Sequence, residues 1–198
     1  PVFTFHITHM MPLSTYGHVL ILGALIGLMG VLYNTCIGKS QDLYGMIPRQ
    51  FVRVLIPFLM AGAFGFLYPA VLGGGHSLVE ELTAGQLMLG GLFLLFALKF
   101  AFSMISFGSG APGGIFLPLL VLGAIIGSIY YNLASAVSPD ISGLLSNFII
   151  LGMAGYFSAI VRAPITGIIL ISEMTGSFSH LLTLSMVSLA AYIVPDIL

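Results

Sequence analysis

The chain has 198 residues, of which 59% are apolar and only 6% charged. A soluble globule of this size cannot cover its surface with so few charges, so a soluble fold is excluded. Five Lys and Arg against six Asp and Glu leave no basic patch for nucleic acid, and the hydrophobicity excludes intrinsic disorder.

A transmembrane β-barrel would alternate polar and apolar residues in segments of about ten, which this sequence does not do. The composition therefore predicts an all-α, polytopic membrane protein. Its 25 Gly and 10 Pro are expected of packed and broken membrane helices. The single Cys36 excludes an internal disulfide framework. A start at Pro1, with no basic leader after it, and an end inside an apolar stretch are expected of a piece of a longer chain.

In chain order, Leu13–Ile37 is the first apolar run, long enough to cross ~30 Å of hydrocarbon, with Ser14 as its expected N-cap. Gly23 and Gly27 form a small-xxx-small pair that lets another helix approach. Lys39–Arg53 reads as a polar loop carrying Lys39, Asp42, Arg49 and Arg53, and the positive-inside rule places it in the cytoplasm. Val54–Leu72 is the second run, ended by Gly73-Gly74-Gly75; Ser77–Leu82 is a short amphipathic piece. Leu87–Phe107 is the third run, interrupted by Lys99.

A glycine-rich break, Gly108-Ser109-Gly110-Ala111-Pro112-Gly113-Gly114, precedes Ile115 and a run to about Ala136. Ser138–Ser142 is a polar turn. Leu144–Ile160 and Pro164–Met174 are shorter segments split at Arg162-Ala163-Pro164; Ser179–Val194 is the last, stopped by Pro195. Seven or eight helices result, several too short to cross alone, as half-helices ending inside the membrane are.

The glycine break matches G-x-G-x-x-G, but a dinucleotide site needs a preceding strand and an acid about twenty residues on, and neither is present. An anion site needs less. Gly113 and Gly114 leave the backbone uncovered, and a helix starting near Ile115 has orphan N–H groups with roughly half a positive charge. Pro118, within or just after the first turn, loses no needed hydrogen bond. The amides of Ile115 and Phe116 are thus free to face an anion, held weakly enough to leave again. The alternative is that the glycines serve only a sharp turn or close packing.

Other polar residues keep two readings each. Glu173 is a proton relay or a buried structural acid. Arg162 attracts anions, or bonds helix-end carbonyls or snorkels. Lys99 is a pathway charge, or faces the bundle interior on a carbonyl or snorkels. Glu80 and Glu81 suit a solvated surface or a helix start. His6-x-x-His9 has ligand spacing but too few ligands for a metal site.

The run Ser109–Pro118 resembles the GxFxP signature of the CLC family of chloride channels and transporters, with Gly114-Ile115-Phe116-Leu117-Pro118 fitting residue for residue. Arg162-Ala163-Pro164-Ile165-Thr166-Gly167, followed by Glu173-Met174-Thr175, resembles a second hallmark. Gln41-Asp42-Leu43 and Gly73-Gly74-Gly75 also fall where the family's second half has similar elements.

The resemblance implies the second half of an inverted-repeat CLC fold with broken and tilted helices. Residues 1–198 would be the C-terminal half of that transmembrane domain, cut before the last pore helix. It implies transmembrane chloride transport, as a channel or chloride/proton antiporter, and no enzyme activity. Chloride would be the ligand, with no cofactor and no metal. The anion-binding amides would be those of Ile115 and Phe116, supported by Gly113, Gly114 and Pro118. The family's serine loop, gating glutamate and central tyrosine fall outside these residues. Implied partners are the N-terminal half, the lipid bilayer and a second copy, with Ile165 and Leu181 as contact residues of a homodimer; implied localisation is the cell (inner) membrane. Rival classes are a secondary transporter of another solute, which needs acidic or carbonyl lining, and a non-transporting scaffold, which needs only packing glycines.

Overall fold

The computed structural model describes residues 11–176 and 180–197; His6, His9 and Ser179 lie outside the described residues. Eight α-helices occupy them: α1 Tyr16–Gly45, α2 Gln50–Leu67, α3 His76–Thr83, α4 Leu89–Gly108, α5 Phe116–Ser135, α6 Leu145–Val161, α7 Pro164–Thr175 and α8 Leu181–Ile197. Short 3-10 turns cover Leu13–Thr15, Pro69–Val71 and Pro139–Ile141. No strand occurs among the described residues, so the dinucleotide reading of the glycine break fails on its first requirement.

α1, α2, α4 and α5 are long and apolar enough to cross a membrane, whereas α6, α7 and α8 are shorter apolar helices. The chain is thus a multi-pass membrane protein, as its composition requires.

α5 and α6 form the centre. Every residue of α6 from Asn147 to Ala159 is buried, and so is α5 from Leu119 to Ser128. A helix apolar on all sides has no solvent face to orient it and settles in the middle. Their backbones meet at glycines. A Cβ on Gly123 would strike the carbonyl of Gly152, one on Gly127 that of Phe148, and one on Gly152 that of Gly123.

α1 packs on α8 by the same means, bearing out the Gly23/Gly27 pair. A Cβ on Gly23 would lie 2.6 Å from Ala190 Cβ, and one on Gly27 2.6 Å from Val194 Cβ. α2 fully buries only Pro57; its Phe64 ring packs edge-on against Phe102 of α4 at 5.5 Å, and its exposed side chains are left to lipid or to protein outside the chain.

Several boundaries differ from the sequence reading. α1 continues past Ile37 through Lys39 and Asp42 to Gly45, so the polar loop shrinks to residues 46–49. Its 30 residues rise about 45 Å, more than the hydrocarbon thickness, so the charged last turns can leave the apolar layer without breaking the helix. The N-cap of α1 is Thr15, not Ser14, and it makes no side-chain cap; the Thr15 hydroxyl donates to the Pro12 carbonyl at 2.7 Å instead.

α8 runs through Pro195 to Ile197 rather than stopping there. That extension brings Asp196 to Arg162, the residue that ends α6 in a left-handed conformation at φ 61. Arg162 bonds the Tyr192 carbonyl through Nη1 at 2.8 Å, pairs with Asp196 and stacks its guanidinium 4.3 Å over the Tyr192 ring. Of the two Arg162 readings, the helix-end bond is the one observed. Arg162→Ala is therefore expected to lower the thermal midpoint of the intact protein more than Asp196→Ala does. The second change removes only a part-exposed ion pair, worth ~0–1 kcal/mol, while the first also removes the carbonyl bond and the stacking.

Glu173 is exposed on α7, so it is not the buried structural acid the sequence suggested. The helical register of α7 explains this: Gly167, Ile171, Ser172 and Met174 take the buried face. Glu80 and Glu81 are exposed, as a solvated surface requires, but lie in the second turn of α3 rather than at its start.

Candidate functional site

The glycine break joins the end of α4 to the start of α5, and each side is anchored separately. On the α4 side, Ser40 of α1 donates its hydroxyl to the Met104 carbonyl at 2.8 Å and lies directly against Gly108, where a Cβ would strike it. Ser109 then donates to the Ser106 carbonyl at 2.6 Å and accepts from the Ala111 amide at 3.2 Å. Gly110 takes φ +72, the left-handed region that glycine enters without a Cβ clash. The chain thus turns sharply before Pro112.

Gly113 and Gly114 differ from the packing glycines. A Cβ on either meets nothing within 4 Å, and neither has a left-handed φ. Close packing within this chain therefore does not explain glycine at these positions. Both are exposed, and a cavity of about 220 Å³, lined by Pro57, Phe58, Phe102, Phe107, Pro112 and Gly113 among others, opens beside them.

Ile115 follows at φ −86 and ψ −18, already helical, and the first helical bond of α5 runs from the Leu119 amide to the Ile115 carbonyl at 3.2 Å. Pro118 has no N–H to donate. The amides of Ile115, Phe116 and Leu117 donate to no backbone acceptor among the described residues. Three such donors at the positive end of a 20-residue helix are what an anion site requires. Ile115 and Phe116 are half-buried, and the Phe116 ring packs edge-on against Phe157 at 5.4 Å, fixing the first turn of α5 on α6.

Lys99 is 2% exposed, and its ammonium donates to the carbonyls of Val71 at 3.1 Å and Gly73 at 3.5 Å. The interior, carbonyl-bonded reading of this lysine is the observed one. Lys99 also lines a small cavity of about 50 Å³ together with Ser103, Ser106 and Pro118 of the first turn of α5. The sequence marked Lys99 as an interruption but could not show which helix it faced. The Ser40 anchor was missed altogether, because Ser40 stood in a stretch read as loop.

The other named residues do not converge here. Ile165 is 71% and Leu181 41% exposed, on α7 and α8. Among the described residues, no three His, Cys, Asp or Glu side chains are grouped to hold a metal ion.

The family described as voltage gated chloride channel matches residues 1–196. The H(+)/Cl(-) exchange transporter ClcA of Vibrio cholerae serotype O1 is 41% identical over 191 residues, covering 94% of this chain and 41% of that protein. The protein of the same name from Yersinia pestis bv. Antiqua is 36% identical over 188 residues, covering 92% of this chain and 39% of it. The chain thus spans about two-fifths of the length of the curated relatives it matches. The crystal structure of a slow cyanobacterial Cl-/H+ antiporter superposes with a TM-score of 0.88 at 29% identity, covering 99% of this chain and 47% of that one. A CLC-type fluoride/proton antiporter shares the fold at a TM-score of 0.78 and 19% identity.

Proposed function

The chain belongs to the voltage gated chloride channel family, and from that premise we propose that it forms the C-terminal half of a membrane anion transporter whose ion is chloride. The observation that carries this reading is the cradle at the start of α5. Three amide donors there lack backbone acceptors among the described residues, behind two glycines that no contact among those residues requires.

A partly dehydrated chloride sits at the amides of Ile115 and Phe116, attracted by the α5 dipole. No side-chain cation touches the ion, so it is held weakly enough to move on, as conduction and exchange both require. The process is translocation, with no bond made or broken. The names of the relatives favour coupling to protons. A second half of the same protein supplies the rest of the ion path, and a second copy packs on the exposed apolar faces of α7 and α8, with Ile165 and Leu181 in contact. The assembly sits in the cell (inner) membrane.

Chloride efflux from liposomes tests this. The intact protein is expected to release chloride, and the 198-residue chain alone to release none, because half the path is missing. Absence of anion flux through the intact protein would refute transport, and selective efflux through the chain alone would refute the two-half reading.

A further inference from the structure

Two consecutive helices, α1 and α2, are each long and apolar enough to cross a membrane, and only residues 46–49 join them. Such a turn must lie at a membrane face. Three of the five basic residues of the chain, Lys39, Arg49 and Arg53, stand at this turn, and Asp42 is the acid among them. The other two basic residues are spent elsewhere, Lys99 buried on carbonyls and Arg162 paired with Asp196.

The three cations have different roles. Arg53 is half-buried and holds the turn, donating from Nε to the Ile47 carbonyl at 2.7 Å and from Nη2 to the Gly45 carbonyl at 3.2 Å. Lys39 and Arg49 are exposed. Lys39 lies six residues before Gly45, about 9 Å along the axis of α1, and Arg49 closes the turn, so both stand at the same end of the α1–α2 pair. Around them, Leu43 is 67%, Met46 79% and Phe51 76% exposed. Large apolar side chains mixed with free cations are costly in water and in hydrocarbon alike. At the boundary between headgroups and acyl chains, each finds its own medium.

We infer that the α1–α2 turn is a binding site for the phosphate headgroup of an anionic phospholipid in the cytoplasmic leaflet. The basic excess places the turn on the cytoplasmic side, where the leaflet is negatively charged. The Arg49 guanidinium presents a fork of donors to the phosphate oxygens, and Lys39 adds a point charge. Leu43, Met46 and Phe51 lie among the first carbons of the acyl chains. The site is separate from the anion cradle and rests only on the membrane placement of α1 and α2.

Binding of short-chain phosphatidylglycerol, phosphatidylcholine and inorganic phosphate to the detergent-purified intact protein tests this. Phosphatidylglycerol is expected to bind roughly tenfold or more tightly than phosphatidylcholine, a preference that weakens with salt. The double variant Lys39→Gln, Arg49→Gln is expected to lose the preference while eluting and melting like the parent, since Arg53 still ties the turn. If the double variant does not fold, Lys39→Gln alone must reduce the preference severalfold. Equal binding of the two lipids by the parent, or an undiminished preference in the variants, would overturn the site. Inorganic phosphate binding as tightly as phosphatidylglycerol would overturn the lipid assignment in favour of a soluble phosphate.

Discussion

Gly127→Leu in the intact protein is expected to leave little correctly folded material, with a thermal midpoint depressed on the order of 10 °C or more in whatever is recovered. The cause lies in the contact between α5 and α6. At Gly127 a Cβ would overlap the Phe148 carbonyl and crowd its carbonyl carbon, so the obstacle is backbone and not a movable side-chain tip. The two helices would have to separate along their buried length, at a cost above the ~1–3 kcal/mol of ordinary core overpacking. Even Gly127→Ala carries the offending Cβ and is expected to destabilise. Gly17→Ala is the control: its Cβ meets nothing within 4 Å, and alanine favours the helix by ~1 kcal/mol. Equal midpoints for Gly127→Leu and the parent would mean that α5 and α6 are not packed this closely.

Gly114→Asp is expected to reduce halide affinity more than tenfold by titration calorimetry while leaving the thermal midpoint unchanged or slightly raised. The two readouts separate because the site and the fold depend on Gly114 differently. Its Cβ direction is empty and its φ is ordinary, so the substitution strains nothing. The new carboxylate stands one residue before Ile115, where it can occupy the positive end of α5 and exclude the ion. An acid at that end contributes ~0.3–1 kcal/mol of stability. Gly114→Ala, neutral and small, is expected to weaken binding much less. Unchanged halide affinity in Gly114→Asp would reduce the glycine break to a turn and remove the anion cradle from the mechanism.

Much of this was legible in one dimension. The membrane class followed from too few charges, and the helices from apolar runs whose lengths match α2, α4 and α5 within a few residues at most points. The helix start that the proposed cradle uses was legible too, because Gly113, Gly114 and Pro118 mark that start locally. Helix ends were less legible. Lys39 and Asp42 read as loop residues, yet a helix 30 residues long carries them beyond the apolar layer. Pro195 read as a stop, yet α8 tolerates it and places Asp196 beside Arg162. Glu173 read as buried because its neighbours are apolar, but the register of α7 turns it outward.

The sequence by itself determined the solvent, the helix count to within one and the glycine break that precedes a helix start, since each depends on composition or on residues adjacent in the chain. Only the tertiary structure decided which glycines are packing devices and which stand open, because a glycine at a crossing and a glycine at a vacant loop are identical until a neighbour is known. It also decided that Ser40 anchors the end of α4 and that Lys99 bonds the Val71 carbonyl. Those contacts join residues 64 and 28 positions apart, on different elements, and no local pattern records a meeting set by how helices pack.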